Sequence, residues 1–187
     1  MKNYSLLILA LFLSATTFAQ KWTVDKAHSK LGFQVTHMTI SEVDGDFKNY
    51  EASITNTKSD FTDAQFTLVA EVNSINTENE MRDNILKGSQ FFDVAKYPTL
   101  SFKSTSVTKV DDKNYTLTGD LTIHGVTKKT TFNLTINGFG QNMMTHKPVV
   151  GLKITGAIHR SDFGLANYPS SIISEEIKIK AIGEFDQ

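Results

Sequence analysis

The histidines are the side chains of this 187-residue chain that are best suited to acid–base or metal chemistry. No two of them stand two residues apart, as on one face of a strand, or four apart, as on one face of a helix. No H-E-x-x-H motif occurs either, so we predict no metal site. His28 and His37 could each orient a ligand carbonyl group or bond to the backbone, and His124 could make a turn hydrogen bond. The full set is His28, His37, His124, His146 and His159.

Only two of the 19 basic residues are arginines, Arg82 and Arg160, and each lies beside an aspartate and close to aromatic residues. A guanidinium group offers forked, permanently charged donors that fit phosphate or carbonyl oxygens. These side chains could therefore recognise the head group of a ligand at the mouth of a cavity. They could equally form structural pairs with carboxylates such as Asp83 or Asp162. The sequence leaves both interpretations open.

Motifs for nucleophilic catalysis are absent from the sequence. There is no G-x-S-x-G and no cysteine, and the many serines and threonines are typical of an antiparallel sheet. We therefore predict no catalytic residues, no enzymatic activity and no cofactor.

Alternation of apolar and polar residues with a period of two dominates the chain, and this pattern is typical of half-buried strands. It predicts about eight strands, which must stack as a sandwich or close as a barrel. A barrel of this size is either filled by side chains or holds one ligand, and the pattern does not separate these outcomes. The clearest series are 66–72, 115–123, 132–136, 150–158 and 177–185, with further strands near 29–37, 43–55 and 98–110. A polar tip at 111–114 predicts a long hairpin over 98–123.

One segment has helical rather than strand character. Thr77 and Glu80 have the spacing of a capping box, Met81 and Ile85 share one face, and Gly88 is a suitable end. We predict a short helix over 78–87 with Thr77 as its N-cap.

The first 19 residues have the order of features found in secretory signal peptides. Lys2 precedes an apolar run at 6–13, and small or polar residues lead to Ala19. A helix of that run would be about 12 Å long, against about 30 Å for a bilayer core, which disfavours a membrane anchor. We predict cleavage near Ala19 and a soluble, periplasmic or secreted mature chain.

Composition excludes several other classes of protein. Without cysteine, the stability of an exported chain must come from a packed core rather than from disulfides. The formal net charge is −1 and no basic stripe is present, so nucleic acid is excluded as a partner.

Several segments, in order along nearly the whole mature chain, resemble the YceI-like family of polyisoprenoid-binding periplasmic proteins. No single segment is specific, but their shared order is. They are Trp22-Thr23-Val24-Asp25 with His28-Ser29, then Phe33 and His37, Val43 to Phe47, Met81-Arg82-Asp83 before Phe91-Phe92-Asp93, Tyr97-Pro98, Phe102 to Thr105, Gly119 to Thr127, and Arg160-Ser161-Asp162-Phe163-Gly164.

The resemblance implies an all-β, extended antiparallel eight-stranded lipocalin-like barrel over residues 20–187, with one or two short helices. It also implies an apolar cavity that binds a long polyisoprenoid lipid, either an isoprenoid quinone or a prenyl phosphate. The protein would then be a carrier, store or sequestering protein with transient membrane contact, as a monomer or a homodimer. The alternatives are a filled barrel that acts as a structural or interaction module, and an enzyme acting on the bound lipid.

The predicted ligand contacts combine the aromatic residues, the two arginines and the residues of the resembling segments. They are Phe33, His37, Arg82, Phe91, Phe92, Phe102, Leu121, Ile123, His124, Arg160 and Phe163.

Overall fold

The computed structural model describes residues 19–187, so the predicted signal peptide lies outside the described residues apart from Ala19. Strands account for most of this range. They are β1 (Gln20–His37), β2 (Ser41–Phe47), β3 (Tyr50–Asn56), β4 (Gln65–Glu71), β5 (Ile75–Asn76), β6 (Thr99–Lys109), β7 (Asn114–Ile123), β8 (Val126–Gln141), β9 (Pro148–His159) and β10 (Ile173–Asp186). One helix, α1 (Glu80–Lys87), and two 3₁₀ turns, Val72–Ser74 and Arg160–Phe163, complete the list.

The strands close into an antiparallel barrel, which confirms the predicted fold class. The wall runs in the order β1, β3, β4, β6, β7, β8, β9 and β10, and β10 then pairs with β1. The first strand is long enough to pair with β3 near its start and with β2 near its end. The predicted stretch 43–55 is therefore one wall strand that breaks at Lys48 and Asn49. Closure satisfies the backbone groups that an open sheet would leave at its edges.

Local signals predicted the hairpin and the end of the helix correctly. Strands β6 and β7 form the long hairpin, and the Asp111 carboxylate accepts hydrogen bonds from the N–H groups of Lys113 and Asn114 at its tip. Helix α1 ends at Gly88, whose N–H donates to the carbonyl of Ile85 at 3.0 Å.

The predicted N-cap is wrong. Asn79 caps α1, and its side-chain oxygen accepts from the N–H of Arg82 at 3.0 Å. The N–H and hydroxyl of Thr77 instead donate to the Asp83 carboxylate, at 2.9 and 2.6 Å. Both residue types cap helices well, and the bond to Asp83 occupies the hydroxyl that the prediction assigned to the cap.

Strands β1 and β9 both begin at the same end of the barrel, which we call the closed end. The loop 57–64 crosses it and buries Phe61 to 1% exposure, with the Phe61 ring centroid 5.9 Å from Trp22 and 5.8 Å from Phe139. The Trp22 indole N–H donates to the Asn56 amide oxygen at 2.8 Å. Aromatic packing and a satisfied buried amide together seal this end.

At the opposite end, which we call the mouth, three segments leave the barrel wall, and we call them the mouth excursions. These are the turn between β1 and β2, the segment 72–98 that contains α1, and the segment 160–172 between β9 and β10. The N–H of Met38 donates to the carbonyl of Ile172 at 2.9 Å, which joins the first and third excursions. Within residues 19–187, no helix has the length and hydropathy needed to cross a bilayer.

Candidate functional site

The barrel encloses a cavity of about 400 Å³. This volume lies within the range of roughly 300–1,000 Å³ that is usual for small-molecule sites. Side chains from every wall strand line it, and most of them are apolar. The exposed lining residues at the mouth are His37, Ile85 and Ile172. A further exposed pair, Lys30 and Ile182, lies beside an irregularity in β1.

Glycines in the wall explain how the interior stays hollow although it contains many aromatic side chains. A β-carbon at Gly45 would lie 2.2 Å from the ring of Phe33, and one at Gly119 would lie 2.5 Å from the ring of Phe102. The rings therefore lie flat against the glycine backbone instead of projecting across the barrel. A side chain at either glycine would force the ring toward the centre.

Most of the predicted apolar contacts line the cavity. Phe91 and Phe92 follow α1 in a turn segment rather than in a strand, so both reach the interior: Phe91 stacks on Tyr168 at 5.5 Å and Phe92 packs edge-on against Phe47 at 6.0 Å. The lining members of the predicted set are Phe33, His37, Arg82, Phe91, Phe92, Phe102, Leu121, Ile123 and Arg160. Their contact with a ligand remains a prediction.

Two predicted residues lie away from this cavity. His124 lies in the turn between β7 and β8 with φ of 52°, and its ring packs edge-on against Tyr97 at 4.4 Å. Phe163 is buried in the 3₁₀ turn after β9 and lines a separate, smaller pocket with Lys128 and His159. Neither residue is among those that line the main cavity.

Arg160 is a structural residue at the base of the mouth. Its side chain is 5% exposed, and its N–H groups donate to the carbonyls of Leu165, Ala166, Tyr168, Ile173 and Ser174. Glu175 lies 3.4 Å away and supplies the countercharge. These bonds fasten the segment 160–172 to the barrel and occupy the donors that a ligand would need.

Arg82 differs from Arg160. It donates from Nε to the Thr77 hydroxyl at 2.7 Å and from one terminal nitrogen to the Thr77 carbonyl at 2.6 Å. Within the described chain, no carboxylate lies within ion-pair distance of it. Its other terminal nitrogen keeps free donors at the cavity, so Arg82 is the arginine that is equipped to meet a polar head group.

A histidine–carboxylate cluster forms where spacing in the sequence gave no sign of one. His28 Nδ1 lies 2.6 Å from the Asp25 carboxylate, and pairing of β1 with β10 brings Glu184 beside them. Their hydrogen bond, and to a lesser extent their charges, lower the pKa of Asp25 and raise the pKa of His28. The cluster is on the surface at the irregularity of β1, and His28 does not line the cavity.

Tyr50 is a lining residue that the sequence analysis missed. Its side chain is 8% exposed, and its hydroxyl is the one buried side-chain oxygen or nitrogen in residues 19–187 without a hydrogen-bond partner. Burial is the main reason that the pKa of this phenol lies above its ordinary value of 10.0. The alternation of Tyr50, Ala52 and Ile54 could have placed it inside, but its lack of a partner is visible only in three dimensions.

Comparisons with known proteins agree with this geometry. The YceI-like domain family model matches residues 22–185. A UPF0312 protein of Staphylococcus aureus strain N315 is 35% identical over 170 residues, covering 88% of this chain and 96% of its own. The YCEI protein of Campylobacter jejuni is 31% identical, with a TM-score of 0.72 over 100% of this chain and 99% of its own.

A more distant structure has the same fold. A polyisoprenoid binding domain from Saccharophagus degradans, implicated in plant cell wall breakdown, is 15% identical, with a TM-score of 0.62 over 89% of this chain and 97% of its own. At this identity the match shows the shared fold alone. The family model and the close relatives, however, cover nearly the whole described barrel, and the chain therefore belongs to the YceI-like domain family.

Proposed function

We propose that this protein binds one long polyisoprenoid lipid, an isoprenoid quinone or a prenyl phosphate, inside the barrel. The observation that carries the proposal is the apolar cavity of about 400 Å³ that is sealed at one end and reaches the surface at the other. A slender hydrocarbon fits such a space, because the lining offers continuous apolar contact along its length. The description of the Saccharophagus degradans domain as polyisoprenoid binding is consistent with this ligand class.

The energetics favour a carrier, store or sequestering protein. Burying one isoprene unit from water contributes roughly 3–4 kcal/mol, at about 0.8 kcal/mol for each carbon group. A lipid that starts in a bilayer has already gained this free energy, so the transfer of its tail into the barrel is nearly neutral. Selection must therefore come from the shape of the cavity and from its few polar groups, while loading and release stay reversible.

Loading from a bilayer is supported by the mouth. Five apolar side chains around it are exposed, with Ile40 83% and Met81 77% accessible to solvent. They lie on all three mouth excursions and surround the exposed part of the cavity lining. We call Met38, Ile40, Met81, Ile85 and Ile172 the mouth rim. Transient contact of this rim with a membrane would let a lipid pass without crossing water.

The two alternative functions have less support. A filled barrel acting as a structural module requires side chains to occupy the interior, whereas the rings of Phe33 and Phe102 lie against wall glycines. An enzyme acting on the lipid requires a base at the cavity. His37 does line the cavity, but within residues 19–187 no carboxylate pairs with its ring. The pair of His28 with Asp25 lies on the surface instead, and His124 packs against Tyr97.

The site of action follows from the predicted signal peptide. An exported lipid carrier would act in the periplasm or outside the cell, where a lipid must cross water to leave its membrane. Amino-terminal sequencing of the mature protein from its native host tests this part of the proposal, and a mature start near Gln20 is the expected result.

The direct test is to purify the protein, extract it with organic solvent and identify bound lipids by mass spectrometry. A prenyl lipid should be recovered at close to one molecule per chain. The variant Gly45→Ala should lose about fivefold or more of this lipid, because the new methyl group drives the ring of Phe33 into the cavity. The control variant is Gly140→Ala, where a β-carbon meets no atom within 4 Å. Repeated recovery of no prenyl lipid would reject the proposal.

A further inference from the structure

The inward-facing side chains of the wall strands line the cavity over only part of the length of the barrel. On β7, Leu121 and Leu117 line it, whereas Tyr115, which faces inward nearer the closed end, does not. On β1, Val24 lines the cavity, whereas Trp22 does not. The cavity therefore stops inside the barrel, short of the closed end.

Side chains fill the barrel between that level and the closed end, and we call this group the core plug. Each of its members is at most 4% exposed, and none of them lines the cavity. Interiors of this kind are packed as densely as organic crystals, so a lipid tail cannot pass through them. The core plug consists of Trp22, Ile54, Phe61, Tyr115, Leu134 and Val150.

The lining side chains next to the core plug form the lower boundary of the cavity. They come from four strands, and each is at most 9% exposed. Members of the plug lie directly beside them in the sheet, since Phe66 pairs with Ile54 and Phe185 pairs with Val150. A molecule that enters from the mouth can therefore go no deeper than this layer. We call Val24, Phe66, Leu117 and Phe185 the cavity floor.

The cavity floor differs in polarity from the upper part of the lining. Its four side chains are hydrocarbons, whereas Lys30 follows Val24 along β1 in the direction of the mouth, and both lining arginines belong to the mouth excursions. Near the floor, the hydroxyls of Ser53 and Thr67 bond to each other at 2.8 Å. A head group on the floor would lose water without gaining a partner, which is costly. The floor therefore favours the hydrocarbon end of a lipid.

We propose that the lipid lies tail first with its last isoprene unit on the cavity floor, and that Leu117 and the other floor side chains set the longest tail that the barrel accommodates. This inference rests on the proposed function and specifies the length of the tail. A tail that fits exchanges one apolar environment for another when it leaves a bilayer or a micelle. A longer tail cannot pass the floor, so its surplus units must remain in water, which weakens binding.

The experiment uses a ladder of all-trans prenyl alcohols, from farnesol to solanesol, whose members differ only in the number of isoprene units. The full-length protein is incubated with an equimolar detergent dispersion of the ladder and re-isolated by gel filtration into detergent-free buffer. The retained alcohols are quantified by mass spectrometry. For the wild type, retention should stay level with increasing tail length and then fall about fivefold or more at the first tail that exceeds the limit.

Variants of Leu117 should move this limit in opposite directions. Leu117→Ala deepens the cavity and should shift the limit by about one isoprene unit toward longer tails. Leu117→Phe fills the same space and should shift the limit toward shorter tails. The matched control is Leu134→Ala, because Leu134 has the same side chain and the same exposure of 0% but does not line the cavity. This control should leave the limit unchanged.

The outcomes separate this inference from the proposed function. A wild-type ladder without a break, or one limit shared by the wild type and both Leu117 variants, would overturn the role of the floor and leave lipid binding in place. An equal shift in Leu117→Ala and Leu134→Ala would also contradict the assignment of the floor. Retention of no prenyl alcohol by the wild type would reject both proposals.

Urea unfolding of the lipid-free proteins controls for differences in stability. The midpoints of Leu117→Ala and Leu134→Ala should fall by similar amounts, because both variants lose the same fully buried side chain. A tail limit that shifts in only one of two equally destabilised proteins therefore reports on the shape of the cavity.

Discussion

The two ends of the barrel use similar residue types for opposite purposes. At the closed end, the rings of Trp22 and Phe61 are buried against each other, and the polar groups beneath them are paired: Trp22 donates to Asn56, which in turn donates to the Lys58 carbonyl. At the mouth, large apolar side chains are exposed and Arg82 keeps free donors. The interior of the closed end therefore resembles an ordinary protein core, whereas the mouth opens into the cavity and combines exposed apolar side chains with free donors.

The largest loss of stability is expected from a substitution at the closed end. Phe61→Ala should lower the free energy of unfolding by about 3–5 kcal/mol, because it leaves a cavity between Trp22 and Phe139. Ile85→Ala at the mouth removes a half-exposed side chain and should cost less than about 1 kcal/mol. Urea denaturation of both variants, followed by circular dichroism, measures the difference. Equal decreases in the free energy of unfolding for the two variants would show that the closed end contributes no more to stability than the mouth does.

The two arginines provide a second comparison, with a smaller effect. Arg160→Met should lower the free energy of unfolding by about 2–4 kcal/mol, because five backbone carbonyls lose their donor, three in the segment 160–172 and two at the start of β10. Arg82→Met loses only bonds to Thr77 and should cost about 1 kcal/mol or less. Limited proteolysis should, in addition, cut the Arg160 variant between β9 and β10. A stable, uncut Arg160 variant would contradict a structural role.

Local features of the fold were predictable from the sequence, whereas features that depend on distant pairing were not. Alternation placed the strands, and Gly88 and the tip at 111–114 marked the ends of elements, because these signals act over a few residues. The choice between barrel and sandwich depends on the pairing of β1 with β10, for instance Phe33 with Ile179, which no local pattern encodes. For the same reason, the sequence could not bring Glu184 to His28.

The candidate site shows the same limit. Apolar lining residues such as Leu121 and Ile123 could be found by periodicity, but whether the interior was hollow depended on how the ring of Phe33 lies against Gly45. The functions of the arginines also remained open, since the partners of Arg160 are backbone carbonyls of the segment 160–172 and of the start of β10 rather than the neighbouring aspartate. Family resemblance supplied the expectation of a cavity that residue patterns alone left undecided.

Exposed apolar residues at both ends allow a test of the mouth rim. The double variant Ile40→Ser with Met81→Ser should lower partitioning onto phosphatidylcholine vesicles about tenfold, because each side chain loses apolar area that the bilayer would bury. The control is Met143→Ser with Met144→Ser, since these methionines are equally exposed near the closed end. Vesicle flotation measures the bound fraction. Equal vesicle binding by the two double variants would exclude a specific role for the rim in membrane contact. If the wild type forms a concentration-dependent dimer and only the rim variant loses it, the rim is instead a contact surface for a second copy of the chain.

The smallest effect is expected at the Asp25–His28 pair, which is on the surface of the wall between the two ends. The hydrogen bond between them raises the pKa of His28 above 6.5 and lowers the pKa of Asp25 below 3.8. The stabilisation that comes from His28 is complete below pH 6.5 and is lost as the pH rises through the raised pKa of His28. The stabilisation that comes from Asp25 is present above pH 3.8 and is lost as the pH falls through the lowered pKa of Asp25. The pair should therefore stabilise the fold between about pH 4 and 6.5. Urea midpoints of the wild type and His28→Gln should differ most near pH 5 and converge in mildly alkaline buffer, and a difference that stays constant with pH would show that the ion pair does not contribute.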